Sequence, residues 1–202
     1  MNPLRQVSKV ILLLVVFLLS GCRAEARFNN SELENVPGAY AYSEGESKYV
    51  NLYQRAAKHL GNNEFADAEE VYRELIQLEP ENFNGYIGLG SSLFFQNQYE
   101  EARETYQMAF ELNPNSVQAI IGIGSAYSAS GQYELALDAY RTAIDIDPDE
   151  VNAYWGLAIV LDKEGYSKDE IIVYLEKIIE IDPKSALAVE ARDWIKRLNS
   201  KN

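Results

Sequence analysis

The 202-residue chain holds one cysteine, Cys22, and one histidine, His59. That scarcity excludes a zinc site of the usual Cys/His type, a disulfide framework and a Cys-x-x-Cys redox centre. Any Ser-His-Asp or Cys-His catalyst would have to use His59. Basic residues are also scarce: 18 Lys and Arg against 31 Asp and Glu leave a net charge of −13. Nucleic acid is therefore disfavoured as a partner, because phosphate binding needs clustered cations. No apolar run reaches the roughly 20 residues that span a bilayer. What is present is ordinary for a folded chain, with 47% hydrophobic residues.

The N-terminus has Arg5 and Lys9, no acid, and then the unbroken run Val10–Leu19 (VILLLVVFLL). A positive start before a run of this length reads as a secretory signal, residues 1–21. Leu19-Ser20-Gly21-Cys22 follows and resembles the lipobox of bacterial lipoproteins. The resemblance implies diacylglyceryl transfer to the Cys22 thiol, cleavage before it, and further acylation, a palmitate-type anchor. Two or three acyl chains hold durably where one holds weakly. Arg23 stands where an Asp commonly signals inner-membrane retention in two-membrane bacteria. The implied location is the periplasmic face of the outer membrane if the source has two membranes, and otherwise the outer face of the cytoplasmic membrane. Loss of residues 1–21 removes Arg5 and Lys9 and moves the net charge from −13 to −15. So acidic a surface is repelled by anionic head groups, and the lipid alone would hold it.

Residues 22–47 are polar and punctuated by Pro37, Gly38 and Gly45, with no helical or strand period. They read as a flexible tether spanning about 25–30 Å root-mean-square.

Beyond it the chain repeats. Pro80, Pro114, Pro148 and Pro183 are separated by 34, 34 and 35 residues, and three of them close the phrases Glu111-Leu112-Asn113, Asp145-Ile146-Asp147 and Glu180-Ile181-Asp182. A period of this length marks a solenoid of helical hairpins. Tyr86, Leu89, Gly90, Leu93, Ala102, Tyr106, Ala109 and Pro114 recur as Ile120, Ile123, Gly124, Tyr127, Ala136, Tyr140, Ala143 and Pro148. Leu52, Ala56, His59, Ala68, Tyr72, Leu75 and Pro80 form a weaker copy in register. Over roughly residues 49–183 this pattern resembles the tetratricopeptide repeat (TPR) family. The expected fold is all-α, a right-handed superhelical solenoid with repeats at 48–82, 83–116, 117–150 and 151–183 and a capping helix in 184–202.

Gly90 and Gly124 sit mid-helix, where glycine costs up to about 1 kcal/mol relative to alanine. Together with Ala102 and Ala136 they predict close approach of two helices. Tyr99, Ala102, Tyr106, Ala109 and Phe110 form one apolar stripe, and each proline ends a helix it cannot continue. The fourth repeat departs: Gly165-Tyr166-Ser167-Lys168-Asp169 holds one extra residue, while Ile171 and Ile178 replace small residues. Its two helices should pack less closely. Lys184–Leu198 reads as the capping helix, covering the open apolar face of the last repeat.

Other motifs fail on inspection. Asp145–Asp149 starts like a calcium loop, but its sixth position is Glu150 rather than Gly and its twelfth is Gly156 rather than Glu. Gly88-Leu89-Gly90 and Gly122-Ile123-Gly124 lack the third glycine of a dinucleotide fingerprint and follow no strand. Acid pairs such as Glu100/Glu101 fall early in second helices, where they suit the helix dipole. His59 reads as a partly buried packing residue. Catalytic, metal and cofactor sites are therefore not expected.

In TPR domains the first helices line a concave groove that takes a peptide or helix. The resemblance carries this role to Tyr53, Asn84, Ile87, Ser91, Phe94, Gln118, Ile121, Ser125, Asn152, Trp155 and Ile159. The set is apolar or neutral, with no Lys or Arg to clamp a terminal carboxylate. Aligned Ile, Phe and Trp side chains would form an exposed binding patch unless the tether or capping helix covers them. The expectation is a non-enzymatic, lipid-anchored scaffold or adaptor for other envelope proteins, serving assembly of an envelope complex. Its alternatives are a self-associating spacer, that is a homo-oligomer, and a small hydrolase dependent on His59.

Overall fold

The structure, a computed structural model, describes residues 44–200. The apolar run 10–19, Cys22 and residues 22–43 of the expected tether lie outside the described residues. Among the described residues there are nine helices and no strand: α1 Glu44–Gly61, α2 Phe65–Leu78, α3 Phe83–Phe95, α4 Tyr99–Leu112, α5 Val117–Ala129, α6 Tyr133–Ile146, α7 Val151–Lys163, α8 Lys168–Ile181 and α9 Ala186–Ser200. Residues 44–47, expected in the tether, belong to α1.

Each helix packs on the next in order, giving the pairs α1–α2, α3–α4, α5–α6 and α7–α8. First helices also lie side by side across repeats, α3 with α5 and α5 with α7, whereas no second helix approaches its counterpart to that extent among the described residues. The stack therefore curves toward its first helices, which line the inner side. α9 packs on α8, in the place that a fifth first helix would take.

Residues that start and stop the helices also recur. Asn63, Asn97, Gly131 and Gly165, each 34 apart, adopt positive φ between 61° and 78° in the turn after a first helix. Asn and Gly tolerate this left-handed conformation, which ends a helix sharply. Asn82, Ser116 and Glu150 then cap α3, α5 and α7 by accepting backbone N–H bonds. The second helices α2, α4 and α6 begin without a side-chain cap. In the fourth repeat the extra residue follows Gly165 and places Ser167 at the start of α8, where Ser167 and Glu170 form a reciprocal capping box. The pair α7–α8 is the most loosely apposed of the four, as the bulkier Ile171 and Ile178 predict.

The mid-helix glycines have a specific partner. A Cβ on Gly90 would lie 2.8 Å from the Tyr106 ring, and one on Gly122 would lie 2.6 Å from it. Tyr140 stands in the same way between Gly124 and Gly156, at 3.0 and 2.4 Å. Each ring thus wedges between the first helix of its own repeat and that of the next. One repeat on, Leu175 replaces the tyrosine and Ala158 and Ala191 replace the glycines, all fully buried in one cluster. A smaller wedge leaves room for the added methyl groups.

Candidate functional site

The interlock decides which first-helix side chains reach the surface. Ile87 is 4% exposed and Ser91 7% exposed, so both belong to the interior and not to an open groove. Ser91 Oγ donates to the Ile87 carbonyl at 2.9 Å, leaving the Tyr106 hydroxyl to donate to Ser91 at 3.0 Å. Ser125 Oγ and the Tyr140 hydroxyl hydrogen-bond at 3.1 Å. Burial pushes the pKa of both tyrosine hydroxyls above the ordinary phenol value, so the hydroxyls stay protonated and available as donors. Both serine hydroxyls thus engage the tyrosine wedges, Ser91 in the interior and Ser125 still part-exposed.

The other nine positions remain at least half-buried but accessible: Tyr53, Asn84, Phe94, Gln118, Ile121, Ser125, Asn152, Trp155 and Ile159. Tyr53 packs edge-on to Tyr49 and Tyr72, with ring centroids 4.8 and 6.3 Å apart. Phe94 leans on Phe95 and Tyr99. The Asn152 amide donates to Glu150 at 2.7 Å. Ile121 bridges the two apolar clusters of the solenoid. Trp155 meets Trp194 of α9 edge to face, with centroids 5.3 Å apart.

That last contact places α9 differently from a simple cap. Trp194 lies 35 residues after Ile159, the same step as Pro148 to Pro183. Glu190 and Arg197 stand in that register with Trp155 and Asp162, so α9 adds another rung to the inner face. Between these rungs lies an open pocket of about 540 Å³ lined by Trp155, Asp162, Glu190, Asp193, Trp194 and Arg197. Five of these six residues were missed at the sequence level. The 35-residue step was the signal that could have found Trp194.

His59 is partly buried, as expected, and its ring also makes a polar contact. Its Nδ1 is 2.7 Å from Glu64 Oε2 across the α1–α2 turn, and this hydrogen bond holds the Glu64 carboxyl below its ordinary range. His59, Glu64 and Asp67 offer ligand atoms within 4.8 Å of one another. This is the only such grouping found among the described residues that could give a cation three ligands. Both carboxylates are exposed, and the near imidazole nitrogen is already engaged. Among the described residues no helix is long and apolar enough to cross a membrane.

Sequence models of the tetratricopeptide repeat match residues 59–125, and of the TPR repeat residues 124–165. Together they span just over half of the chain, from the end of α1 through α7. The chain is a tetratricopeptide-repeat protein. Solved TPR structures share the fold of this TPR protein. MamA from Desulfovibrio magneticus RS-1, residue 41 to the end, is 19% identical over 80% of this chain and 87% of that one, with a TM-score of 0.63. YrrB, described as a TPR protein with an unusual peptide-binding site, is 22% identical over 73% and 76%, with a TM-score of 0.59. The first TPR of Spaghetti (RPAP3) bound to an HSP90 peptide is 19% identical over 58% and 94%, with a TM-score of 0.55. At these identities the likeness is one of fold. No curated protein sequence matches the chain significantly.

Proposed function

We propose that this TPR protein is a non-enzymatic scaffold or adaptor that holds an extended peptide or a helix of another envelope protein against its first helices. The observation that carries this reading is the run of Phe94, Ile121, Trp155 and Ile159 along neighbouring first helices, all part-exposed. Large apolar side chains at the surface of a rigid inner face are what binding hot spots are made of. The peptide-bound Spaghetti structure and the peptide-binding site of YrrB support the same use of the fold. The role in the envelope rests on the run Val10–Leu19 and the lipobox-like Leu19–Cys22. Lipid on Cys22 anchors the chain to one leaflet, the tether supplies reach, and the solenoid presents its inner face in assembly of an envelope complex.

Two experiments test the two halves. Palmitate labelling in cells should mark the wild type and be lost in Cys22→Ala; equal labelling would remove the anchor. Crosslinking in intact membranes should recover a partner with the wild type and lose it with Ile121→Glu or Ile159→Glu, provided both variants keep their helical circular dichroism. Ile87→Glu is unsuitable, because a buried glutamate would unfold the repeat rather than report on binding. Recovery of the same partner with all forms would rule out the inner face. Recovery of the chain alone would favour the self-associating spacer, for which the exposed Val173 and Val189, 62% and 52% accessible, offer a surface.

A further inference from the structure

We propose that the pocket between α7 and α9 is a subsite for a basic side chain, so that the peptide held on the inner face is one carrying lysine or arginine toward this end. The inference rests on the inner-face reading and names the chemistry of its partner. Three observations converge. The pocket sets three carboxylates, Asp162, Glu190 and Asp193, against one guanidinium, Arg197. None of these four side chains forms an ion pair or hydrogen bond with another side chain among the described residues, so their charges are not already spent within the protein. The remaining walls are Trp155 and Trp194, whose rings meet edge to face at 5.3 Å, and indole faces are the best aromatic partners for a cation.

Position argues for a residue of a longer chain and not for a free cation. Trp155, Asp162, Glu190, Trp194 and Arg197 continue the rows that carry Phe94, Ile121 and Ile159, and the middle of the face is neutral. A segment lying along it would place apolar side chains on Phe94 and Ile121 and a cationic one at the acidic end. The net charge of −13 on the whole chain would draw such a segment in and repel an acidic one.

The chain's two tryptophans are Trp155 and Trp194, so intrinsic fluorescence reads this pocket directly. The full chain in detergent micelles would be titrated with an extended peptide of alternating leucine and lysine, and with versions carrying glutamine or glutamate for lysine. The lysine peptide should change the emission. Its affinity should fall about tenfold in Glu190→Gln/Asp193→Asn and less than twofold in Glu100→Gln/Glu101→Gln, which removes the same charge from the start of α4. Equal loss in both variants means general attraction to an acidic protein and overturns the subsite. So does equal binding of the glutamine peptide, or an unchanged emission. Ile121→Glu separates the two readings. If lysine and glutamine peptides bind equally and both are lost in Ile121→Glu, the inner face stands and the basic subsite falls. If the lysine peptide responds to Glu190→Gln/Asp193→Asn but not to Ile121→Glu, the subsite stands and the continuous inner face falls.

Discussion

A methyl group added at Gly122 would meet the Tyr106 ring at 2.6 Å, whereas one added at Gly61 would meet nothing within 4 Å. Gly122→Ala should therefore destabilise the solenoid by about 2 kcal/mol through overpacking. Gly61→Ala, at the end of α1 and without positive φ, should be neutral or stabilise by up to about 1 kcal/mol. Urea unfolding of the two variants checks this pair. Equal effects would mean that the tyrosine wedge does not set the spacing of first helices. The same wedge explains why Ser91 was misassigned to an open groove: its hydroxyl is visible in the sequence, but its partner fifteen residues away is not. The His59–Glu64 contact is hidden in the same way, since it depends on the α1–α2 turn, in which Asn63 takes a positive φ.

The helix ends are written locally, and α8 is the clearest case. Ser167→Ala should cost about 1 kcal/mol, the usual value of a lost N-cap. Gln132→Ala, at a position that makes no cap bond, should cost nothing comparable. The Glu170 carboxyl is held below its ordinary range, first by the Ser167 hydroxyl and then by the Ser167 N–H. A carboxyl lowered in the folded state adds stability that is complete above its unfolded value, about 4.3. That stability is lost as pH falls through the lower folded value. An NMR titration should find Glu170 depressed in the wild type and raised toward the ordinary range in Ser167→Ala, which removes the hydroxyl and keeps the backbone N–H. An unchanged titration would show that the capping box is not formed in solution.

For the molecule as a whole, stability should be the sum of repeats and the interfaces between them. α9 covers the last interface with Ala188 and Ala191 fully buried and Leu187, Trp194, Ile195 and Leu198 packed around them. Deleting residues 184–202 should weaken the α7–α8 pair by on the order of 3 kcal/mol, from several half-buried large apolar side chains. Amide exchange should then open α7 and α8 well before α3 and α4, and uniform loss along the chain would contradict the additive picture. The same deletion removes one wall of the acidic tryptophan pocket, so any lysine-peptide response should vanish with it.

Sequence alone determined the period, the helix pairs and the turn residues, because each depends on interactions within a few residues or on a spacing repeated without change. The 34-residue phrases, the prolines that close them and the apolar stripe of each second helix are all of this kind. Tertiary structure decided which first-helix side chains face outward. Superhelical stacking brings a tyrosine from one repeat against two first helices at once, which draws Ile87 and Ser91 inside and leaves Ile121 and Trp155 partly exposed. It also decided that α9 extends the inner face and brings Trp194 to Trp155. That contact depends on how the last repeat turns the chain back beside α7, a geometry no single stretch of sequence encodes.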